Sequence, residues 1–143
     1  MGRIDSGRAR VTIGSGASDA PPSGRWKRIA ISDAVDLSQF GVNILELQPG
    51  AWSADRHWHS DEDEFIHVLE GEVVLVAEGG ETVLRAGDSA GFKAGIPDGH
   101  HLQNRSATLA RVLEVGSRRP DSDIVTYPDL RRRKGPRGME GLG

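Results

Sequence analysis

The chain contains no cysteine. That excludes disulfides, thiolate catalysis and cysteine-held zinc, and it fits a reducing cytoplasm. Long apolar runs are missing too. The longest strongly apolar stretch is Val73-Val74-Leu75-Val76-Ala77, far too short to span a bilayer. The segment from Met1 to Ala20 is rich in Gly, Ser and Arg and lacks the apolar centre of a secretion signal. A soluble, cytoplasmic protein that does not engage a membrane is therefore expected. There is no excess of basic charge: the formal net charge is −3 and the pI is near 5.9. No overall attraction to nucleic acid or an anionic surface follows from such a balance. Helical periodicity is nowhere sustained for the three turns of a typical helix.

What the chain does have is punctuation. Its 143 residues fit one domain able to bury a core, and its 19 glycines and 7 prolines mark frequent turns. Frequent turns suit short strands better than long helices. From Val42 onward apolar stretches alternate with glycine-containing stops: 42–47, 64–69, 73–76, 82–84 and 109–115. Turn signals roughly every ten residues predict an antiparallel sandwich or barrel. Residues 26–31 are expected as an extra strand packed on the domain. Residues 33–40 are expected to make a turn of helix, with Ser32 or Asp33 as its N-cap. This divides the chain into a flexible N-terminal arm (1–25), a β-barrel (26–117) and a partly disordered C-terminal tail (118–143). Arg131-Arg132-Arg133-Lys134 reads as a solvated charge run on that tail rather than a nucleic-acid contact.

The chemistry concentrates in His57-Trp58-His59-Ser60-Asp61-Glu62-Asp63-Glu64, with His100-His101 further on. Side chains alternate along a strand, so His57 and His59 share a face. Glu64 opens the next apolar segment, and alternation lets one of His100 and His101 point inward. Three imidazoles and a carboxylate converging from separate strands suit a divalent transition metal in a mixed N/O site, whether Fe, Mn, Co, Ni, Cu or Zn. The affinity order favours Cu and Ni over Mn and Fe, so the residues do not name the ion. Four protein ligands leave one or two positions open on a five- or six-coordinate ion. With one carboxylate bound, the ion keeps a surplus positive charge that attracts an oxygen-bearing or anionic small molecule.

Neighbouring polar residues have blander readings. His67, three positions after Glu64, falls on the opposite face of the strand. Glu62 and Asp63 read as solvated charges, Trp58 as a packing residue and Asn104 as a loop-fixing hydrogen-bond former. Lys93 could bring a cation towards the mouth of the barrel, where it would suit a carboxylate or phosphate.

These residues resemble the cupin superfamily, whose members are small jelly-roll barrels. The first cupin motif is matched by Gly50, His57, His59, Glu64 and Gly71, with one extra residue between Gly50 and His57. The second is matched by Gly87, Gly95, His100 and Asn104. There Lys93 replaces a proline, and the loop from Gly95 to His100 is two residues longer than the pattern. The stretches RHWHS, EDEF, VLEGEVVLV, GETVLRAGD and GHHLQNRS are similar to bacterial single-domain cupins of type 2 without an assigned reaction. The likeness runs from about Gln39 to Asp129.

The resemblance implies an all-β double-stranded β-helix with one divalent metal held by His57, His59, Glu64 and His100. His101 stays open as the alternative to His100. A metalloenzyme acting on a small polar or anionic organic molecule is the expected function, with isomerase, lyase and dioxygenase chemistry all open. No catalytic base is assigned. The alternative is a non-catalytic metal- or metabolite-binding module. A homodimer is also implied, its physical motive being burial of outward apolar positions such as Phe65 and Leu69.

Overall fold

A computed structural model describes residues 2–14 and 24–142. The chain is all-β: the described residues contain strands and three short 3-10 turns, and no α-helix. The strands before the barrel are β1 (Arg10–Gly14) and β2 (Trp26–Ala30). The barrel itself carries β3 (Phe40–Leu47), β4 (Trp58–His59), β5 (Glu64–Glu70), β6 (Glu72–Ala77) and β7 (Gly80–Arg85). It continues with β8 (Ser89–Phe92), β9 (His101–Gln103) and β10 (Ala110–Ser117). Beyond it lie β11 (Val125–Tyr127), β12 (Arg132–Gly135) and β13 (Gly138–Gly141). No helix among the described residues is long and apolar enough to cross a membrane.

One sheet has the order β1-β2-β3-β10-β5-β8, and a smaller one the order β7-β6-β9. Their facing sides make the core. Leu45 and Leu47 from β3, Val68 from β5 and Val112 from β10 meet Val73 from β6, all fully buried. Burying each such side chain contributes about 1.5–3 kcal/mol. Alternation decides which residues enter. Along β5, Ile66 and Val68 are buried and Glu64 is largely buried, whereas Phe65 and Leu69 are exposed on the other face. The turn from β5 to β6 requires Gly71: its φ is +79°, and a Cβ there would stand 2.6 Å from the Leu109 carbonyl oxygen.

Several expectations change at the edges. Within the expected arm, β1 pairs antiparallel with β2, and residues 15–23 lie outside the described residues. The helical turn is a 3-10 segment, Ser32–Val35, preceded by Ile31. Neither Ser32 nor Asp33 caps it: the buried Ser32 hydroxyl instead accepts the Val42 N–H at 2.8 Å, and Asp33 pairs with Arg118 at 2.6 Å. The segment expected as a tail holds β11, β12 and β13, which pair onto β4 in the order β13-β12-β11-β4. The basic run lies largely within β12, where Arg133 pairs with Glu140 on β13. Attachment of that segment to β4 matters because β4 carries His59.

Candidate metal centre

His57 and His100, separated in sequence by strands β4 to β8, face each other across an isolated antiparallel bridge. Their backbones exchange both hydrogen bonds, His57 N–H to His100 O at 3.1 Å and His100 N–H to His57 O at 3.0 Å. Residues paired in this way project their side chains to the same side, and the two rings lie 5.2 Å apart. His59, two residues on, shares that face, with its ring 5.2 Å from that of His57. Glu64 reaches the same point from β5. Its Oε1 lies 2.9 Å from His100 Nε2, 3.2 Å from His59 Nε2 and 3.7 Å from His57 Nε2. The donors of His57, His59 and Glu64 all lie within 4.8 Å of one another, a spacing that fits a shared ion.

Hydrogen bonding at the other ring nitrogens shows what this arrangement needs. His57 Nδ1 donates to the Asp55 carbonyl at 2.7 Å, and His100 Nδ1 to the Asp98 carbonyl at 2.8 Å. A carbonyl can only accept, so each Nδ1 carries the proton, and a neutral ring then presents a bare lone pair at Nε2. Two such lone pairs aimed at a carboxylate oxygen repel unless a cation or extra protons lie between them. His59 is enclosed further, with Nε2 towards Glu64 and Nδ1 2.7 Å from Asp123 Oδ2. Ring nitrogens oriented by carbonyls and a carboxylate are the usual outer support of metal-binding histidines. The donor set therefore fits a divalent ion.

Protonation follows the same geometry. Burial alone would lower the pKa of His59, but hydrogen bonds to Glu64 and then Asp123 outweigh it and raise it to about 9. Burial alone would raise the Glu64 carboxyl, yet the surrounding imidazoles hold it far below the usual carboxylate range. In the metal-free protein an imidazolium at His59 thus takes the place of the cation. A folded-state pKa raised from 6.5 to about 9 adds stability that is fully present below pH 6.5 and is lost as pH rises through 9. The urea midpoint of chelator-treated protein is expected to fall over that window by the equivalent of a few kcal/mol, about 1.4 kcal/mol per pH unit at most. His59→Gln should flatten this dependence; an equally steep fall in the variant would refute the assignment.

His101 takes a different role. Its Nδ1 donates to the Ala54 carbonyl at 2.8 Å, its Nε2 accepts from the Gln103 amide at 3.0 Å, and Trp52 stands edge-on to it at 4.8 Å. Burial lowers its pKa, so it is a neutral packing residue. The extra loop length before His100 supplies Asp98, whose carbonyl fixes the His100 ring. Asn104, fully buried, fixes its loop by donating to the Leu47 and Thr108 carbonyls, both at 2.8 Å. His67 lies on the outward face and bonds the Ser89 hydroxyl at 2.6 Å.

A cavity of about 370 Å³ opens over the cluster, within the range of small-ligand sites. Lys93 is exposed and does not line it; its cationic wall is Arg28 and Arg118. Glu62 is not simply solvated: it accepts the Arg119 N–H at 2.7 Å and sits 3.6 Å from His59 Nδ1. Phe92 stacks flat on the His100 ring at 3.5 Å.

Four residues absent from the sequence reading also belong here: Arg28, Glu114, Asp123 and Tyr127. Asp123 and Tyr127 arrive on the C-terminal segment, which Arg56 pins by a two-pronged pair to Asp129 at 2.8 and 2.9 Å. A guanidinium fork of this kind fixes direction as well as distance. The Tyr127 ring then lies 5.8 Å from that of His57. Alternation in β10, with Ala110 and Val112 buried, carries a signal for Glu114; Asp123 has none.

Fold and cluster together describe a small β-barrel with a His/Glu site at its inner end. The chain belongs to the cupin domain family, whose profile matches residues 43–116. It is similar to a sugar phosphate isomerase of the cupin superfamily from Silicibacter pomeroyi, with 36% identity and a TM-score of 0.82. That match covers 96% of this chain and 90% of the other. It is also similar to the HTH-type transcriptional regulator PuuR of Escherichia coli, 41% identical over 68 residues and 48% of this chain. The match spans 35% of that regulator's length. The tetracenomycin polyketide synthase protein TcmJ of Streptomyces glaucescens is 25% identical over 105 residues, covering 73% of this chain and 68% of TcmJ.

Proposed function

We propose that the protein is a metal-dependent isomerase of small phosphorylated sugars. In this reading one divalent transition metal is held by His57, His59, Glu64 and His100. The observation that carries it is the convergence of three Nε2 atoms on Glu64 Oε1 at the base of an open cavity. Similarity along nearly the whole chain to the Silicibacter pomeroyi isomerase supplies the substrate class. A bound ion would polarise an oxygen of the substrate. The protein's own groups do the rest: carbonyls of Asp55 and Asp98 and the Asp123 carboxylate keep the imidazoles aimed, and Phe92 backs His100 with an apolar surface.

The test is turnover. Metal-loaded protein incubated with a panel of aldose phosphates is expected to yield ketose phosphates by NMR, and Glu64→Ala should abolish the conversion. The likeness to part of the regulator PuuR favours a second reading, a non-catalytic module, and the open cavity suits such a module to binding a small molecule. Saturable binding of a panel member with no product from any of them would establish that module and defeat the isomerase.

A further inference from the structure

Isomerisation of an aldose through an enediol needs a group that carries a proton between adjacent carbons, and four carboxylates line the cavity: Glu62, Asp63, Glu64 and Glu114. Glu64 is committed to the imidazoles. Glu62 and Asp63 are tied to backbone, accepting the N–H groups of Arg119 at 2.7 Å and Ala94 at 2.8 Å. Glu114 is held differently. Its two oxygens accept from Arg28 Nε at 2.7 Å and Nη2 at 3.2 Å, which leaves further lone pairs on a carboxylate. Arg28 is itself fixed, its guanidinium 5.0 Å from the Trp26 ring centre and within reach of the Ser53 carbonyl at 3.5 Å.

Strand register places this pair beside the metal centre. Gly116 on β10 lies opposite Glu64 on β5, and Glu114 lies opposite Ile66, whose side chain is buried in the barrel. Glu114 and Glu64 are therefore diagonal neighbours on one inner face, about 7–8 Å apart at Cα. A molecule bound over the cluster would touch both. An ion pair that ties β2 to β10 across β3 is also a plain structural clamp, and the experiment must separate that role from a chemical one.

We infer that Glu114, oriented by Arg28, is the catalytic carboxylate that moves the carbon-bound proton. This rests on the isomerase reading above. The Glu114 carboxylate takes the proton from C2 of the aldose, breaking C–H and forming a carboxyl O–H. The C–H electron pair becomes the C1–C2 double bond, and the carbonyl pair moves onto O1, which takes up a proton from solvent water to give an enediol. The O2 hydroxyl then returns a proton to solvent water as the C2 carbonyl forms, balancing the one taken up at O1. The double-bond pair collects a proton at C1 from the Glu114 carboxyl, whose hydrogen exchanges with solvent in the open cavity while the enediol persists. C2 is oxidised and C1 reduced by the same two electrons, so no outside oxidant is needed.

The test uses the full, metal-loaded chain in D2O with the aldose phosphate panel. Wild type should convert substrate and place deuterium on carbon. Glu114→Gln should keep wild-type metal content and a KM within a few-fold, while kcat and carbon exchange fall roughly 10²- to 10⁴-fold. If the variant turns over within tenfold of wild type, Glu114 is a clamp and the isomerase reading survives. If wild type gives neither product nor exchange with any substrate, the isomerase reading fails and this inference with it. Should Glu114→Gln not fold, Glu114→Asp serves instead. It keeps the charge but withdraws the carboxylate by one methylene, so kcat should drop about 10²-fold with metal retained. An undiminished rate there overturns the inference.

Discussion

Replacing His57 and His59 together with alanine is expected to leave a folded protein that no longer retains a divalent ion. Loss of an outer-shell partner alone costs about 10–100-fold in metal affinity, so losing two direct ligands should cost at least about 10³-fold. Elemental analysis of untagged protein should fall from about one metal per chain in wild type to less than about one-tenth. The fold should survive because the fully buried side chains, Leu45, Leu47, Val68, Val73 and Val112, belong to a core that includes neither histidine. Thermal melts sharpen the result. An ion bound to the native state alone stabilises it by about 2.7 kcal/mol at a concentration of 100 Kd. Added metal should therefore raise the melting temperature of wild type and leave the double variant unmoved. Undiminished metal in the variant would show that the ion sits elsewhere and would end the proposed ligand set.

Much of this site is legible in the residues because strand geometry is simple. An i, i+2 pair shares a face, so His57 and His59 had to act together. The alternation that buries Ile66 and Val68 also turns Glu64 inward and Phe65 outward. The choice between His100 and His101 needed three dimensions, since alternation says only that they diverge. Backbone pairing of His57 with His100 settles which one meets Glu64. Arg28 stayed hidden for another reason. It lies in a strand before the matched cupin span and meets Glu114 across 86 positions of chain. The C-terminal segment reads as a tail because its strands are short and gain their order from β4 and the Arg56 clamp. Local propensity carries no record of partners so distant.

Asp123 is where that hidden segment bears most directly on the metal. Its Oδ2 lies 2.7 Å from His59 Nδ1 and its Oδ1 accepts the Asp61 N–H at 2.9 Å, so one nearly buried carboxylate both aims the ring and anchors the loop behind it. A carboxylate on Nδ1 stabilises the proton there and makes Nε2 the more basic donor. Asp123→Asn keeps the shape and removes the charge. Metal affinity measured by chelator competition is expected to fall about 10–100-fold, with secondary structure unchanged. A second readout separates this from a looser loop. Asp123 is one of two carboxylates that raise His59 to about 9, so its removal should bring the pKa of the metal-free ring down. Metal must displace that proton, and apparent affinity in wild type should climb by roughly tenfold per pH unit between 7 and 9. In Asp123→Asn the climb should level off at a lower pH. An affinity loss with the wild-type pH profile would mean that the segment holds the loop without tuning the histidine, and an unchanged affinity would remove Asp123 from the site altogether.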